Sequence, residues 1–362
     1  MVDNKAISYI NRDTPLKITN TEIDLDNCYK HNEIIVEVHA VALNPIDNIL
    51  KRLSIPLISR SYSKIYGCDY SGVIVRAGKD VKSFNVGDAV FGKYLDFTCR
   101  RQGAAEQYIV INPTKNDEIS VIEKGDGKEV SQETFNKYAA AVTVFATAYC
   151  LLTENNQKIN ENSKILVVGA STSVGYALIK IAKNIYNVKT VVGTCNSNSI
   201  EHNKEAGYDI LIPYNDPSKS VPEYTLDIIK DQLDGEKFDL IADCAGTNVF
   251  FPIMDSVLKP SSTNSQFLTI VGDYKFNYRT MGWSDFVTWS VIKRKLGIFR
   301  NYNYGFIVAN SPEGLRLASK MIPSGDYIPV IDSVYKFDQF KDAEERLISN
   351  KAKGKIIIEI DQ

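Results

Sequence analysis

Cysteine and histidine are both sparse in this chain of 362 residues, and neither is arranged for covalent or metal chemistry. The six cysteines (Cys28, Cys68, Cys99, Cys150, Cys195, Cys244) stand singly and contain no C-x-x-C pair, which argues against a disulfide framework and a zinc-finger spacing. Three histidines, His31, His39 and His202, cannot build a histidine metal cage. Charge of one sign is missing too. A net charge of −2 gives no whole-chain attraction to nucleic acid or to anionic membranes. No run approaches the ~18 apolar residues that span a bilayer. Residues 1–11 lack an apolar h-region, so no secretory signal is expected. These absences lead us to expect a reduced, intracellular, cytoplasmic protein without a metal.

What is present is an ordinary globular composition, 44% hydrophobic and 24% charged, long enough for two domains with ample cores. The first third reads as β-rich. Residues 34–41 form an apolar strand candidate, "NPID" (residues 44–47) turns the chain, and "CDYSGVIVRAG" and "FNVGDAVFG" follow as short β runs punctuated by glycine. Short strands with closely spaced turns point to a compact, barrel-like β domain.

From about Tyr138 strands alternate with helical stretches. "KILVVGA", "KTVVGTC", "YDILIPY", "FDLIADCAG", "QFLTIVG" and "YGFIVAN" are short apolar runs of the kind found in buried parallel strands. That alternation is the rhythm of a doubly wound Rossmann sheet. Beyond it, Ser311 is placed to cap a helix over 311–322 with Pro312 at its first position. The last two β runs, "PVIDSVYKF" and "GKIIIEI", do not extend the alternation and are assigned to the first domain. The expected organisation is a β-rich domain of residues 1–139 and 311–362, with a Rossmann domain of residues 140–310 inserted.

The stretch "ILVVGASTSVGYALIKIAK" carries the chemistry. A strand, a small-residue turn and a helix N-terminus present backbone N–H groups to a pyrophosphate. A dinucleotide turn usually has three glycines, and here only Gly169 and Gly175 remain. Thr172 and Ser173 add bulk, and each adds a hydroxyl able to donate to a phosphate oxygen or simply to cap the helix. The second strand ends in "TCNSNS", with no carboxylate before Glu201. An acid there would bind a ribose 2′-hydroxyl, so its absence favours NADPH over NADH. A polar exposed loop is the plainer alternative.

These residues, with "GCDYSGVIVRAGKDV", "GAAEQY", "AAAVTVFATAY" and "AKGKIII", resemble the zinc-free quinone oxidoreductase branch of the medium-chain dehydrogenase/reductase superfamily. "GASTSV", "NSIEHNKEAGYD" and "PIDSVYKFDQF" are similar to a fungal subgroup of that branch. The resemblance implies an α/β protein, with a GroES-like β-rich catalytic domain closing over an inserted doubly wound Rossmann domain and NADPH in the cleft. It implies Asn44 near the nicotinamide ribose and Thr147 near the nicotinamide amide. It places Gly169, Thr172, Ser173, Val174 and Gly175 at the pyrophosphate, and Thr194, Ser197 and Tyr214 toward the adenosine phosphate. The zinc-dependent branch needs Cys and His-Glu where this chain has Asn44 and Cys68-Asp69, so no catalytic metal is expected. Three departures stand out: Thr172 and Ser173 replace paired glycines, Ile49 replaces a tyrosine, and Thr143 replaces a proline.

The expected activity is hydride transfer from NADPH to a quinone, enone or enoyl thioester. Quinone anions are already stabilised, so an obvious acid is not required. Tyr62, Tyr66 and Lys51 are candidate proton donors, each equally readable as a surface or packing residue. The alternative is a weakly active or inactive relative kept for binding or localisation. A separate feature is "MGWSDFVTWSVIKRKLGIFRNYNYGF", in which Ser284 can cap a helix over 284–300. Phe286, Trp289, Ile292, Leu296 and Phe299 recur at helical spacing, and Lys293, Arg294, Lys295 and Arg300 gather near its end. A subunit contact or pocket cover is one reading. An interfacial helix on a lipid surface, such as a lipid droplet or the mitochondrial surface, is the other. The resemblance further implies a homodimer.

Overall fold

The computed structural model describes residues 1–56, 62–95, 103–126, 129–282, 285, 289, 292, 294, 296 and 301–361. The chain forms two units, Met1–Ala146 with Asn277–Gly282 and Asn310–Gln362, and Thr147–Phe276 with Trp283–Ala309. This division differs from the sequence boundaries chiefly at 140–146 and 277–282. The short excursion belongs to the first unit because side chains of that unit hold its backbone. Asn48 Nδ2 donates to the Tyr278 carbonyl, Arg52 Nε to the Met281 carbonyl at 3.3 Å, and Arg279 pairs with Glu345.

The first unit begins with β1 (Val2–Tyr9), β2 (Lys17–Ile23), β3 (Ile34–Leu43), α1 (Pro45–Leu53) and β4 (Lys64–Ile65). Then come β5 (Asp69–Ala77), β6 (Ala89–Lys93), β7 (Tyr108–Ile111), β8 (Ile119–Glu123) and α2 (Gln132–Thr153). The "NPID" stretch is more than a turn. Pro45 opens α1, and the Asn44 N–H donates to the Asp47 carboxylate at 2.7 Å in a capping box. Strand β3 shows how one sequence serves two faces. Ile34, Val36 and Val38 enter the barrel core, a bulge shifts the register between Val38 and Ala40, and Val41 and Leu43 then enter the same core. Ala40 and Ala42 therefore face the other way and let Phe135, Ala139 and Ala140 of α2 lie close. Helix α2 is long and apolar enough to cross a membrane, contrary to the sequence expectation, but 83% of its apolar window is buried inside the protein. It is a core helix.

The second unit runs β9 (Lys164–Val168), α3 (Ser173–Asn184), β10 (Thr190–Cys195), α4 (Ile200–Ala206), β11 (Ile210–Pro213) and α5 (Val221–Gln232). It continues with β12 (Leu240–Asp243), α6 (Met254–Val257), β13 (Gln266–Thr269) and β14 (Asn303–Phe306). These six strands are the six apolar runs of the sequence. They form one parallel sheet in the order β11-β10-β9-β12-β13-β14. The order reverses direction between β9 and β12, the switch point where open α/β sheets bind ligands outside the carboxyl ends of their strands.

The chain then returns to the first unit with α7 (Pro312–Ser324), β15 (Ile331–Lys336), α8 (Phe340–Ile348) and β16 (Lys355–Glu359). As expected, Ser311 caps α7, its hydroxyl accepting from the Gly314 N–H. Strand β16 pairs antiparallel with β3 and joins the seven-stranded sheet β15-β16-β3-β5-β6-β8, with β7 also on β3.

Candidate functional site

In the second unit, β9 delivers the chain into the glycine turn. Gly169 sits at φ +89°, and a Cβ there would lie 2.9 Å from the Ala245 Cβ, so the position needs glycine on both counts. A Cβ on Gly175 would lie 2.4 Å from the Gly169 carbonyl oxygen, so the first turn of α3 packs on the strand end only without a side chain. The turn is braced on three sides. Gly169 N–H donates to Thr194 Oγ1 at 3.0 Å, Asn203 Nδ2 to Ser171 Oγ at 2.8 Å, and Tyr208 Oη to the Gly175 carbonyl at 2.8 Å.

Thr172 and Ser173 separate here. The Thr172 hydroxyl donates to the Gly169 carbonyl at 2.8 Å and accepts from the Gly175 N–H at 3.0 Å. It is therefore the N-cap of α3, one of the two readings open for this hydroxyl, and its proton points back to the Gly169 carbonyl inside the turn. Ser173 opens the helix, half-buried, and the N–H groups of Ser173 and Val174 occupy its first two positions, where no intrahelical acceptor exists. Those N–H groups at the positive end of α3 are what the turn offers an anion.

At the end of β10 the expected residues divide as well. Thr194 is buried and occupied in holding the turn, accepting from Gly169 N–H through its hydroxyl and from Ala170 N–H through its carbonyl. Ser197 and Tyr214 are exposed and neighbouring. Asn215 clamps Ser197 through its N–H at 2.8 Å and its hydroxyl at 3.0 Å, and Tyr214 N–H donates to the Cys195 carbonyl. Glu201, the first carboxylate after the strand, is paired with Lys204 at 2.9 Å. Thr147 lies buried on α2 at the start of this unit.

In the first unit the structure gathers Asn44, Cys68, Asp69, Thr143 and Lys355. Asn44 Nδ2 donates to Asp69 Oδ2 at 2.7 Å, and its carbonyl oxygen accepts from the Lys355 ammonium. Asp69 also accepts from Thr143, through the N–H at 3.0 Å and the hydroxyl at 2.6 Å, and lies 3.4 Å from Lys355 Nζ. Proline at 143 could supply neither donor, which accounts for that departure. The Cys68 thiol is pushed well up by burial and then by the Asp47 and Asp69 carboxylates.

The three candidate proton donors fare differently. Lys51 is tied in an ion pair to Glu344 at 2.9 Å. Tyr62 is half-buried with the Lys64 ammonium 5.0 Å from its ring centre. Tyr66 is buried, and its hydroxyl has no hydrogen-bond partner.

Residues 30–150 match the family model of the alcohol dehydrogenase GroES-like domain, and residues 218–358 that of the zinc-binding dehydrogenase. Protein YIM1 of Vanderwaltozyma polyspora is 51% identical over 362 residues, 99% of this chain and 100% of that one. Protein YIM1 of Saccharomyces cerevisiae strain YJM789 is 43% identical over 363 residues, 99% of each. The chain belongs to the fungal YIM1 proteins of the medium-chain dehydrogenase/reductase superfamily. Solved structures share the fold at low identity. The quinone oxidoreductase from Coxiella burnetii has a TM-score of 0.70 at 19% identity, covering 99% of this chain and 100% of its own. An alcohol dehydrogenase superfamily protein from Novosphingobium aromaticivorans has the same score and identity with the same coverage. Membership places the chain among nicotinamide-dependent oxidoreductases.

A zinc ion is implied by the second family model, and the residues do not fit one. At the three positions stand an amide, a thiol held protonated and a carboxylate whose oxygens already accept from Asn44, Thr143 and Lys355. A buried ammonium among them repels a second cation. Among the described residues no group of three or more histidine, cysteine or acidic side chains could hold a metal.

Sequence reasoning missed one residue of the second unit. Asp243 ends β12 fully buried and accepts from Thr269 Oγ1 at 2.9 Å and from the N–H groups of Ala245, Gly246 and Thr247. Thr269 in turn accepts from the Gly272 N–H at 2.8 Å. One acid and one hydroxyl thus hold both loops beyond the switch point. Burial pushes the Asp243 carboxyl up to about 6 against those four donors. The acid stands in the quoted "FDLIADCAG", where a buried strand ending in a carboxylate was the available signal.

Most of the expected 284–300 helix lies outside the described residues, including Ser284, Phe286, Lys293, Lys295, Phe299 and Arg300. Trp289 and Leu296 are exposed. Arg294, expected in a basic cluster toward the helix end, pairs with the buried Asp273 and stacks 3.4 Å above the Phe251 ring centre.

Proposed function

We propose that the protein is a zinc-independent NADPH-dependent reductase acting on a conjugated carbonyl: a quinone, enone or enoyl thioester. The observation that carries this reading is the turn at the switch point, where contacts of 2.9 and 2.4 Å exclude side chains at Gly169 and Gly175. The two glycines let α3 pack close on the strand end, and the N–H groups of Ser173 and Val174 at the start of that helix suit a pyrophosphate. The residues that would hold the cofactor are Gly169, Ser173, Val174 and Gly175 at the phosphates, with Ser197 and Tyr214 toward the adenosine end. A reduced nicotinamide, when bound, supplies hydride.

Support for NADPH over NADH is the strand end itself. Asn196, Ser197 and Asn215 there are neutral, and Glu201 is paired with Lys204. Support for a metal-free reduction is the first-unit cluster, which spends its polar groups on one another. Mixing the protein with NADPH and following nucleotide fluorescence and thermal stability tests the reading. At a hundredfold excess over Kd, binding should add about 2.7 kcal/mol of stability. NADPH oxidation should then require a quinone or enone. The Thr172 hydroxyl, lost to the cap, favours the second reading of a weakly active relative kept for binding, and no shift with either nucleotide would establish that one.

A further inference from the structure

Within the second unit, one buried amide joins the glycine turn to the loop that follows β10. Asn203 of α4 is 1% exposed, and its Nδ2 donates both to Ser171 Oγ at 2.8 Å and to the Ser199 carbonyl at 2.7 Å. A carbonyl can only accept, so the Asn203 atom bonded to it is the NH2 group and not the amide oxygen. That group has two protons, one for the Ser199 carbonyl and one for the Ser171 oxygen. Ser171 is exposed in the turn, between Ala170 and the capping Thr172. Because its oxygen accepts from Asn203, its own proton must be directed elsewhere.

The loop after β10 repeats the device. The Ser197 N–H donates to Asn215 Oδ1 at 2.8 Å, which identifies that atom as the oxygen. Asn215 Nδ2 is then the donor to Ser197 Oγ at 3.0 Å, and the exposed Ser197 is left with its proton as well. Among the described residues neither hydroxyl proton meets an acceptor of the chain. The loop itself is held by Asn196, whose side chain accepts from the Asn198 N–H at 3.0 Å and whose carbonyl accepts from the Ser199 N–H at 2.8 Å. Asparagines thus leave two exposed serines, one on the turn and one on the loop, as donors.

We propose that the Ser171 hydroxyl, together with that of Ser197, donates to the phosphate on the adenosine ribose, and that Asn203 is the positioning residue that holds Ser171 for it. The proposal rests on the NADPH reading and names the groups that would tell a 2′-phosphate from a 2′-hydroxyl. The Ser173 and Val174 N–H groups at the start of α3 are assigned to the pyrophosphate. Ser171 is bonded across to α4 instead, on the side of the turn where β10 ends. Phosphate oxygens that carry charge only accept, and hydroxyl donors bind them more strongly than they bind a neutral hydroxyl. The same amide that orients Ser171 also grips the Ser199 carbonyl, so it sets the spacing between the turn and the loop.

The test is calorimetric binding of NADPH, NADH and 2′,5′-ADP to the intact protein, which needs no turnover. Ser171→Ala changes an exposed side chain and should weaken NADPH and 2′,5′-ADP about fivefold, with NADH binding at the wild-type value. Ser171→Thr keeps the hydroxyl and should restore wild-type binding. Asn203→Leu keeps the volume without the amide, and should weaken NADPH more than NADH. Adding Ser171→Ala to it should cost NADPH binding nothing further, because the two residues act as one unit. An amide with a merely structural role would weaken both nucleotides equally, and its effect would add to that of Ser171→Ala. If Asn203→Leu fails to fold, the two Ser171 variants still decide. Unchanged NADPH binding by Ser171→Ala overturns the contact, and equal weakening of NADPH and NADH moves it to the pyrophosphate and overturns the assignment. Wild-type binding of 2′,5′-ADP alone, lost in Ser171→Ala, would keep the phosphate contact and overturn the reductase reading, whereas binding of none of the three overturns both.

Discussion

The two units treat charge in opposite ways. The first buries Asp47, Lys64, Asp69, Asp88, Glu106, Glu118 and Lys355, whereas the second buries Asp243 and Asp273 among the described residues. In the first unit several of these charges are satisfied across long stretches of chain. Lys355 of β16 reaches Asn44 and Asp69, and Glu118 both pairs with Lys93 at 3.2 Å and accepts the Ser311 N–H that begins α7. In the second unit the sheet is apolar, and the polar side chains at its strand ends, Thr194, Asp243 and Thr269, accept from backbone N–H groups of the adjoining loops. A charge network fixes the returning C-terminal segment in the first unit. In the second unit the Thr172 hydroxyl caps α3 at the Gly175 N–H, and the Ser173 and Val174 N–H groups ahead of it are the ones we propose for an anion.

Breaking the charge network should have the largest effect. Lys355→Met leaves the Asp69 carboxylate buried without its cation and should cost about 3–5 kcal/mol in urea unfolding. Thr143→Val removes one hydrogen bond to the same carboxylate and should cost about 1.5–3 kcal/mol. If Lys355→Met unfolds at the wild-type urea concentration, the network does not hold the first unit.

In the second unit the corresponding break is steric. Gly175→Ala sets a methyl 2.4 Å from the Gly169 carbonyl and should cost about 1–3 kcal/mol, with loss of nucleotide binding. Smaller and more discriminating is the pair at the turn. Thr172→Ala removes a cap and should cost about 1 kcal/mol of stability with nucleotide affinity retained. Ser173→Ala should leave stability unchanged and weaken nucleotide binding about fivefold, the worth of roughly 1 kcal/mol for one hydrogen bond. A reversal of those two outcomes would return the phosphate contact to Thr172.

The smallest expected effect is a slope. Asp47 binds its proton more tightly in the folded protein, so its contribution is complete below the ordinary carboxylate range and lost as pH rises through about 7. Asp47→Asn should therefore flatten the fall in stability between about pH 4 and pH 7. An unchanged slope in urea midpoints across that window would assign the fall to other groups.

Local features were legible in the sequence, and distant ones were not. All six parallel strands, the glycine turn and the Ser311 cap follow from runs a few residues long, where apolar pattern and backbone chemistry coincide. Thr172 was readable as either a cap or a phosphate donor, since one hydroxyl serves both and only the turn's geometry decides. Thr143 stood out as a departure from proline, yet its purpose needed Asp69, 74 positions away. Lys355 lies 311 positions from Asn44, and no spacing rule reaches that far. Asp243 is hidden for a different reason: it ends a buried strand, where an acid reads as the start of a loop.

The most direct test of the contrast is an equilibrium titration of the intact protein with NADPH and with NADH, run on wild type and Gly175→Ala. We expect saturable binding of NADPH by wild type, weaker binding of NADH, and neither by Gly175→Ala at a protein stability that keeps it folded. Equal binding by the alanine variant, or no binding of either nucleotide by wild type, would contradict the assignment of the glycine turn as the cofactor site.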